Sequence, residues 1–326
     1  MRIGLFAIDH GPRAILQKLD DFDDYEVVNN ALFADAEYDG IVIGTSGSQV
    51  GVELESKARL NAKRKNIPMI IIEDYPGNYK QIDGGIPDLL IVEHEFSYDQ
   101  CIRKYGTHSP VISIIPNPRY DDLRNSAARV YSELLGLLEN NEKPEAVIWA
   151  GQPETEDALI TLNQIMPIVK SSGIKFLFKA HPRDKGYEKG EYAKISHFFA
   201  DLWEDVSSLN LLECIKEYNP RIILTHYSSL SIEAGFYGIP TINILFKNSG
   251  GKALHLQKGY SELPWCLEGG AVSVNDVSSF QVNLAELLFD MKLRQTVLSN
   301  FIYWFSDKPS SRDVVTRINQ FISNKI

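Results

Sequence analysis

Short apolar runs alternate with amphipathic stretches along most of the chain. Ile3-Gly4-Leu5-Phe6-Ala7-Ile8 and the segments 40–44, 68–72, 89–92 and 111–114 are largely apolar and end at Asp, Gly, Pro, Glu or Asn. Runs of this length and composition predict strands covered on both faces. A further short strand is expected at 26–28. Between the runs, Ile15, Leu16 and Leu19 fall on one helical face, and 50–66 and 96–104 also read as helices. In Asp9-His10-Gly11-Pro12, Gly11 is expected to let the chain turn and Pro12 suits the first helical position. Strand, helix and strand in alternation predict a parallel sheet with helices on both sides.

The alternation then pauses and starts again. A helical stretch at 121–139 leads into Asn140-Asn141-Glu142-Lys143-Pro144, the best linker candidate. New strands are expected at 146–150, 175–178, 222–225 and 241–245. A chain of 326 residues exceeds what one core usually supports. The expected architecture is therefore α/β, with two Rossmann-like domains facing each other across an interdomain cleft. Their bounds are 1–140 and 141–300, and a C-terminal helix within 301–326 is expected to pack back near the domain junction. That tail opens with the aromatic cluster Phe301-Ile302-Tyr303-Trp304-Phe305 and continues with Val314, Val315, Ile318, Phe321 and Ile322 on one face. It lacks the strong basic face of a membrane-surface helix.

Composition narrows the function classes. The hydrophobic fraction of 44% and charged fraction of 23% are those of an ordinary globular protein. A net charge of -10 excludes a general nucleic-acid binder, which needs a surplus of Lys and Arg. Cys101, Cys214 and Cys266 are too far apart to form a metal-ligand spacing, and they read as reduced thiols. No metal site is expected. Asp9 and His10 interrupt the first apolar run, and no run reaches the ~20 residues of a membrane span. The expected location is cytoplasmic, with any membrane association peripheral, at the inner surface.

Two stretches carry the candidate chemistry. Ile174-Lys175-Phe176-Leu177-Phe178-Lys179-Ala180 leads into His181-Pro182, where the proline forces the histidine out of helical backbone. Arg221-Ile222-Ile223-Leu224-Thr225 leads into His226-Tyr227-Ser228-Ser229-Leu230-Ser231-Ile232-Glu233. In open α/β sheets, ligands sit beyond the carboxyl ends of the strands. Hydroxyls and free amides at a helix start there suit a phosphate. Glu233, one turn further in, would repel phosphate and is suited to ribose hydroxyls. Gly151, in the turn Gly151-Gln152-Pro153, and Pro182 are included among the residues expected at the nucleotide. The Gly/Ser loop 43–49 matches neither the dinucleotide nor the Walker fingerprint, so a crossover turn and a ligand loop both remain open. Asp20-Asp21-Phe22-Asp23-Asp24 reads as a solvated acidic loop, and Asn248-Ser249-Gly250-Gly251-Lys252 as either a flexible loop or an ordinary connection.

The stretches Lys179-Ala180-His181-Pro182-Arg183-Asp184 and Ser228-Ser229-Leu230-Ser231-Ile232-Glu233-Ala234 resemble the GT-B glycosyltransferases. Within these, they are most similar to the bacterial group with an HP motif and a downstream Ser-Ser motif, which includes sialyltransferases, polysialyltransferases and capsule Kdo transferases. The resemblance implies that His181 contacts the donor phosphate and assists its departure, and that Ser228 and Ser229 bind the phosphate of a CMP-sugar. The family's acidic pair followed by Gly is similar to Glu73-Asp74-Tyr75, with Tyr75 in place of the glycine. Ile70 to Tyr79 and Ile115-Pro116-Asn117-Pro118-Arg119-Tyr120-Asp121 also resemble relatives near the UDP-sugar 2-epimerases.

The expected activity is an inverting, metal-independent transfer of a sialic-acid-like or other acidic sugar from a CMP-linked donor to a glycan or lipid-linked acceptor at the cell surface. No cofactor is expected beyond the nucleotide-sugar itself. A UDP- or CDP-linked transferase or 2-epimerase, or a non-catalytic binding protein of the same fold, are the alternatives. Such a transfer needs a base for the acceptor hydroxyl and stabilisation of the departing phosphate. Asp74 is the candidate base, with Asp9 and Glu53 as alternatives, and His181 serves the phosphate. Lys179, Arg183 and Lys185 would add positive potential.

Overall fold

The computed structural model describes residues 1–29, 31, 37–79, 85–126 and 146–325. The expected linker at 140–144 lies outside them, as does most of 121–139. The chain divides into two compact units, one of Met1–Asn125 with Asp307–Ile326 and one of Ser126–Ser306.

The first unit is built on six parallel strands in the order β2-β1-β3-β4-β5-β6. These are β1 (Ile3–Phe6), β2 (Tyr25–Val27), β3 (Gly40–Ile43), β4 (Met69–Ile72), β5 (Leu89–Val92) and β6 (Val111–Ile114). Every residue of β1, β3, β4 and β5 is buried, as continuous apolar runs require of central strands. The helix His10–Asp20 places Ile15, Leu16 and Leu19 on the sheet. The helix begins two residues earlier than the sequence indicates, so Pro12 is its third residue. The acidic stretch 21–24 is a turn at the amino end of β2, with its aspartates exposed.

The tail is shared between the units. Residues 301–305 finish the helix Met291–Phe305 of the second unit, where Phe301, Trp304 and Phe305 pack with Trp265 and Phe236. The helix Ser311–Ser323 belongs to the first unit and inserts Val314, Val315, Ile318 and Ile322 among Ile3, Ile15 and Leu19. Each of these side chains contributes roughly 1.5–3 kcal/mol of burial. A Cβ on Gly40 would stand 2.4 Å from Ile322 Cδ1, so the glycine at the start of β3 lets this helix come close.

The second unit repeats the plan in the order β12-β11-β10-β7-β8-β9. Its strands are β7 (Ala146–Ala150), β8 (Lys175–Lys179), β9 (Trp203–Asp205), β10 (Pro220–Thr225), β11 (Thr241–Ile244) and β12 (Val272–Val274). The long helix Thr155–Ser172 covers one face with Ala158, Leu162, Ile165, Met166 and Val169. Edge strands β9 and β12 have three residues each and no apolar run, which is why periodicity does not reveal them. The 248–252 segment is not a flexible loop. Ser249 is fully buried, the helix Gly250–Lys258 begins directly after it, and a Cβ on Gly250 would lie 2.3 Å from the Ile244 carbonyl oxygen.

Candidate functional site

In the second unit, the functional candidates come off three neighbouring strands. Thr225, Ala150 and Lys179 are paired across β10, β7 and β8, so these strands end level with one another. Beyond β8, the imidazole of His181 is half-buried. Its Nδ1 accepts a hydrogen bond from the Arg183 amide at 3.0 Å, which leaves the proton on Nε2. Burial, assisted by the Arg183 charge, lowers the pKa of His181, so the ring is neutral at pH 7 and donates through Nε2–H. The turn is braced by Asp184, which is buried and accepts from Thr155 Oγ1, from the amides of Gly186 and Tyr187, and from the Tyr192 hydroxyl at 2.7 Å. Pro182 and Arg183 are exposed.

Gly151 is part of this turn's foundation. Its amide donates to the Lys179 carbonyl at 2.9 Å. A Cβ there would stand 3.1 Å from His181 N and from the same Lys179 oxygen, so a side chain would press on the His-Pro backbone. Lys179 turns away from this role, since its ammonium donates to the carbonyls of Ser207 and Leu209.

Beyond β10, the Ser228 amide donates to Thr225 Oγ1, and Thr225 Oγ1 donates to the Ala150 carbonyl. Ser228 Oγ accepts from the Leu230 amide at 3.3 Å, and Ser231 Oγ donates to the Ser228 carbonyl. Ser229 caps the helix Leu230–Phe236 through its backbone alone, with no side-chain cap bond, and is half-buried. Glu233 lies in the first turn, partly exposed. His226 faces the interior. It is fully buried, its Nε2 lies 2.9 Å from Thr161 Oγ1, and that hydroxyl lies 2.7 Å from Ser249 Oγ. Burial drops its pKa to about 3, so it stays neutral and anchors the loop from beneath.

In the first unit, Asp74 follows β4 and is partly buried. Its Oδ1 accepts from Thr45 Oγ1 at 2.7 Å and from Asn78 Nδ2 at 2.8 Å. The Asn117 amide group donates to its carbonyl. A Cβ on Gly11 would sit 2.7 Å from Asp74 Oδ2. Gly11 is therefore required for close approach, while its φ is not positive and the turn itself does not need it.

The alternative bases differ. Asp9 accepts from the amides of Gly47 and Ser48 at 2.9 and 2.8 Å and from Ser48 Oγ at 2.6 Å, so it staples the Gly/Ser loop. That loop is a crossover turn whose amides are already spent on an internal carboxylate. Glu53 is exposed on the helix Gln49–Arg64 and accepts from Gln49. His10 is exposed.

Three buried glutamates lie around Asp74, and of these only Glu73, in the acidic pair with Asp74, stands out in the sequence. Burial pushes Glu55, Glu73 and Glu93 each up to about 7, and the Asp74 charge adds to each shift. Glu55 accepts the Ser46 amide with both oxygens, and Glu93 faces Arg124. Among the described residues, no group of three or more His, Cys, Asp or Glu side chains is placed to hold a metal ion. No helix among them is long and apolar enough to cross a membrane.

No family model and no curated protein matches the chain. Solved structures do. The UDP-GlcNAc 2-epimerase of Methanocaldococcus jannaschii, in complex with UDP-GlcNAc and UDP, is similar over 98% of this chain and 100% of its own, with TM-score 0.64 and 14% identity. The UDP-GlcNAc 2-epimerase of Neisseria meningitidis, bound to UDP-GlcNAc, covers the same shares with TM-score 0.65 and 12% identity. The wall teichoic acid polymerase TagF with CDPG matches 99% of this chain and 89% of its own, with TM-score 0.56 and 15% identity. The fold is GT-B-like: two parallel α/β units of the kind found in these enzymes. These epimerases and this polymerase support the GT-B-like fold and not the narrower HP-motif sialyltransferase group.

Proposed function

We propose that this protein is an enzyme that acts on a nucleotide-diphosphate sugar, with UDP in place of the CMP first expected, and that it works in the manner of a sugar 2-epimerase. The carrying observation is His181, a neutral imidazole fixed through Nδ1 with its Nε2–H free, just beyond the end of β8, which is level with the end of β10 that leads into Ser228 and Ser229. Inverting carbon 2 of a sugar requires removal of its proton and return of one to the other face. When the nucleotide leaves carbon 1 as the carbon 2 proton is lost, a double bond forms between the two carbons, and the same phosphate later re-adds to carbon 1 as a proton reaches the opposite face of carbon 2; between these steps charge collects on the phosphate. His181 Nε2–H and the Ser229 hydroxyl are the donors assigned to it.

The likeness to UDP-GlcNAc 2-epimerases supports the choice of UDP. The TagF likeness favours a second reading, transfer from a CDP-linked donor to a glycan or lipid-linked acceptor at the membrane surface. Incubation of the protein with UDP-GlcNAc, followed by proton NMR, separates the two. The proposal expects a 2-epimer to form, and His181→Asn to slow its formation by roughly 10²-fold or more with an unchanged melting curve. Turnover with a CDP-linked donor alone would select the second reading. Turnover undiminished in His181→Asn would remove His181 from the mechanism.

A further inference from the structure

Gln152 is only 5% exposed, yet its Nε2 has no hydrogen-bond partner. An amide donor buried without a partner costs about 1–3 kcal/mol. Such a group calls for a reason, and its position supplies one. β7 lies between β10 and β8, and Ala150 at its end is level with Thr225 and Lys179. The next residue, Gly151, rests against the backbone of Ala180 and His181. Two residues beyond Gln152, Glu154 Oε2 accepts from the Tyr227 hydroxyl at 3.3 Å, which ties this segment to the loop holding Ser228 and Ser229. Gln152 thus follows the middle strand, with the His-Pro turn on one side and the serine loop on the other.

We propose that Gln152 is a binding residue whose carboxamide donates to a phosphate oxygen of the nucleotide, alongside His181 Nε2–H and the Ser229 hydroxyl. This rests on the reading of the edge as a nucleotide-diphosphate site. The orphaned donor is the cost of keeping the amide ready before the ligand arrives.

Gln152→Met retains the length of the side chain and removes the donor. Titration calorimetry of the full chain with UDP, and separately with inorganic pyrophosphate, tests the assignment. Wild type is expected to bind, Gln152→Met to lose about tenfold in affinity for both, and its ligand-free Tm to stay level or rise, because an unpaired buried donor is gone. Gln152→Glu should lose at least as much, since a carboxylate repels phosphate. Unchanged affinity in Gln152→Met, with wild type binding UDP, overturns this inference and leaves the nucleotide reading standing. A fall in Tm or loss of folding in both Gln152→Met and Gln152→Leu makes Gln152 structural and also overturns it. Failure of wild type to bind either anion defeats the nucleotide reading together with the inference.

Discussion

A carboxyl group with one oxygen paired and the other buried without a partner is poorly placed to be an anion. Glu73 is such a group: Oε1 accepts the Tyr79 amide at 2.9 Å, Oε2 has no partner, and the residue is 2% exposed. Burial pushes it up to about 7, with the neighbouring Asp74 charge adding to the shift. Because the folded value is raised, the folded state holds a proton that the unfolded chain releases above about 4.5. Stability from this site is therefore present below about 4.5 and lost as pH rises to 7. Glu73→Gln keeps the acceptor for Tyr79 and removes the titration. Its stability advantage over wild type is expected to be small at pH 4.5, to grow by at most about 1.4 kcal/mol per pH unit up to pH 7, and to level off above. Urea denaturation at several pH values measures this, and an advantage independent of pH would contradict it. The two histidines make the complementary point. His181 and His226 stand beside similar motifs in the sequence, and only their hydrogen bonds separate a half-exposed donor from a buried anchor.

Among the elements, the helix Ser311–Ser323 depends on a buried ionic clasp as well as on its apolar face. Asp121 accepts the amides of Ser310 and Ser311 and pairs with Arg124 at 2.9 Å. Arg124 in turn donates to the Asn117 carbonyl at 2.6 Å, and Asn117 holds the backbone of Asp74. The start of the C-terminal helix and the Asp74 loop are thus linked through a few buried residues of one unit. Removing one member of a buried pair typically costs about 3–5 kcal/mol. Asp121→Ala is expected to destabilise the protein by this amount in chemical denaturation, whereas exposed Asp122→Ala, which loses a surface pair with Lys18, should cost under about 1 kcal/mol. Equal effects of the two would show that the clasp carries no special weight. The amphipathic pattern of this helix is plain in the sequence. Which core it joins is not, because Val314, Val315, Ile318 and Ile322 would suit either apolar sheet face.

At the scale of the whole molecule, the strands legible in the sequence are those buried on both faces, such as 69–72 and 222–225, where apolar continuity is itself the signal. The turn at His181-Pro182 and the loop at Ser228-Ser229 are legible as the segments that follow β8 and β10, since Pro182 fixes the backbone where an apolar run stops. Gln152 left no trace, because its significance is a missing partner, and a missing partner exists only in three dimensions. The partners of Asp9 are hidden for the same reason: a carboxylate at a strand end shows nothing in sequence of the Gly47 and Ser48 amides that donate to it. The account as a whole turns on whether the level ends of β7, β8 and β10 receive a nucleotide diphosphate. A crystal of the full chain soaked with UDP tests this most directly. A phosphate oxygen about 3 Å from His181 Nε2, with the Ser229 hydroxyl on the same phosphate, is the expected result; UDP bound elsewhere, with His181 facing only solvent, would contradict it.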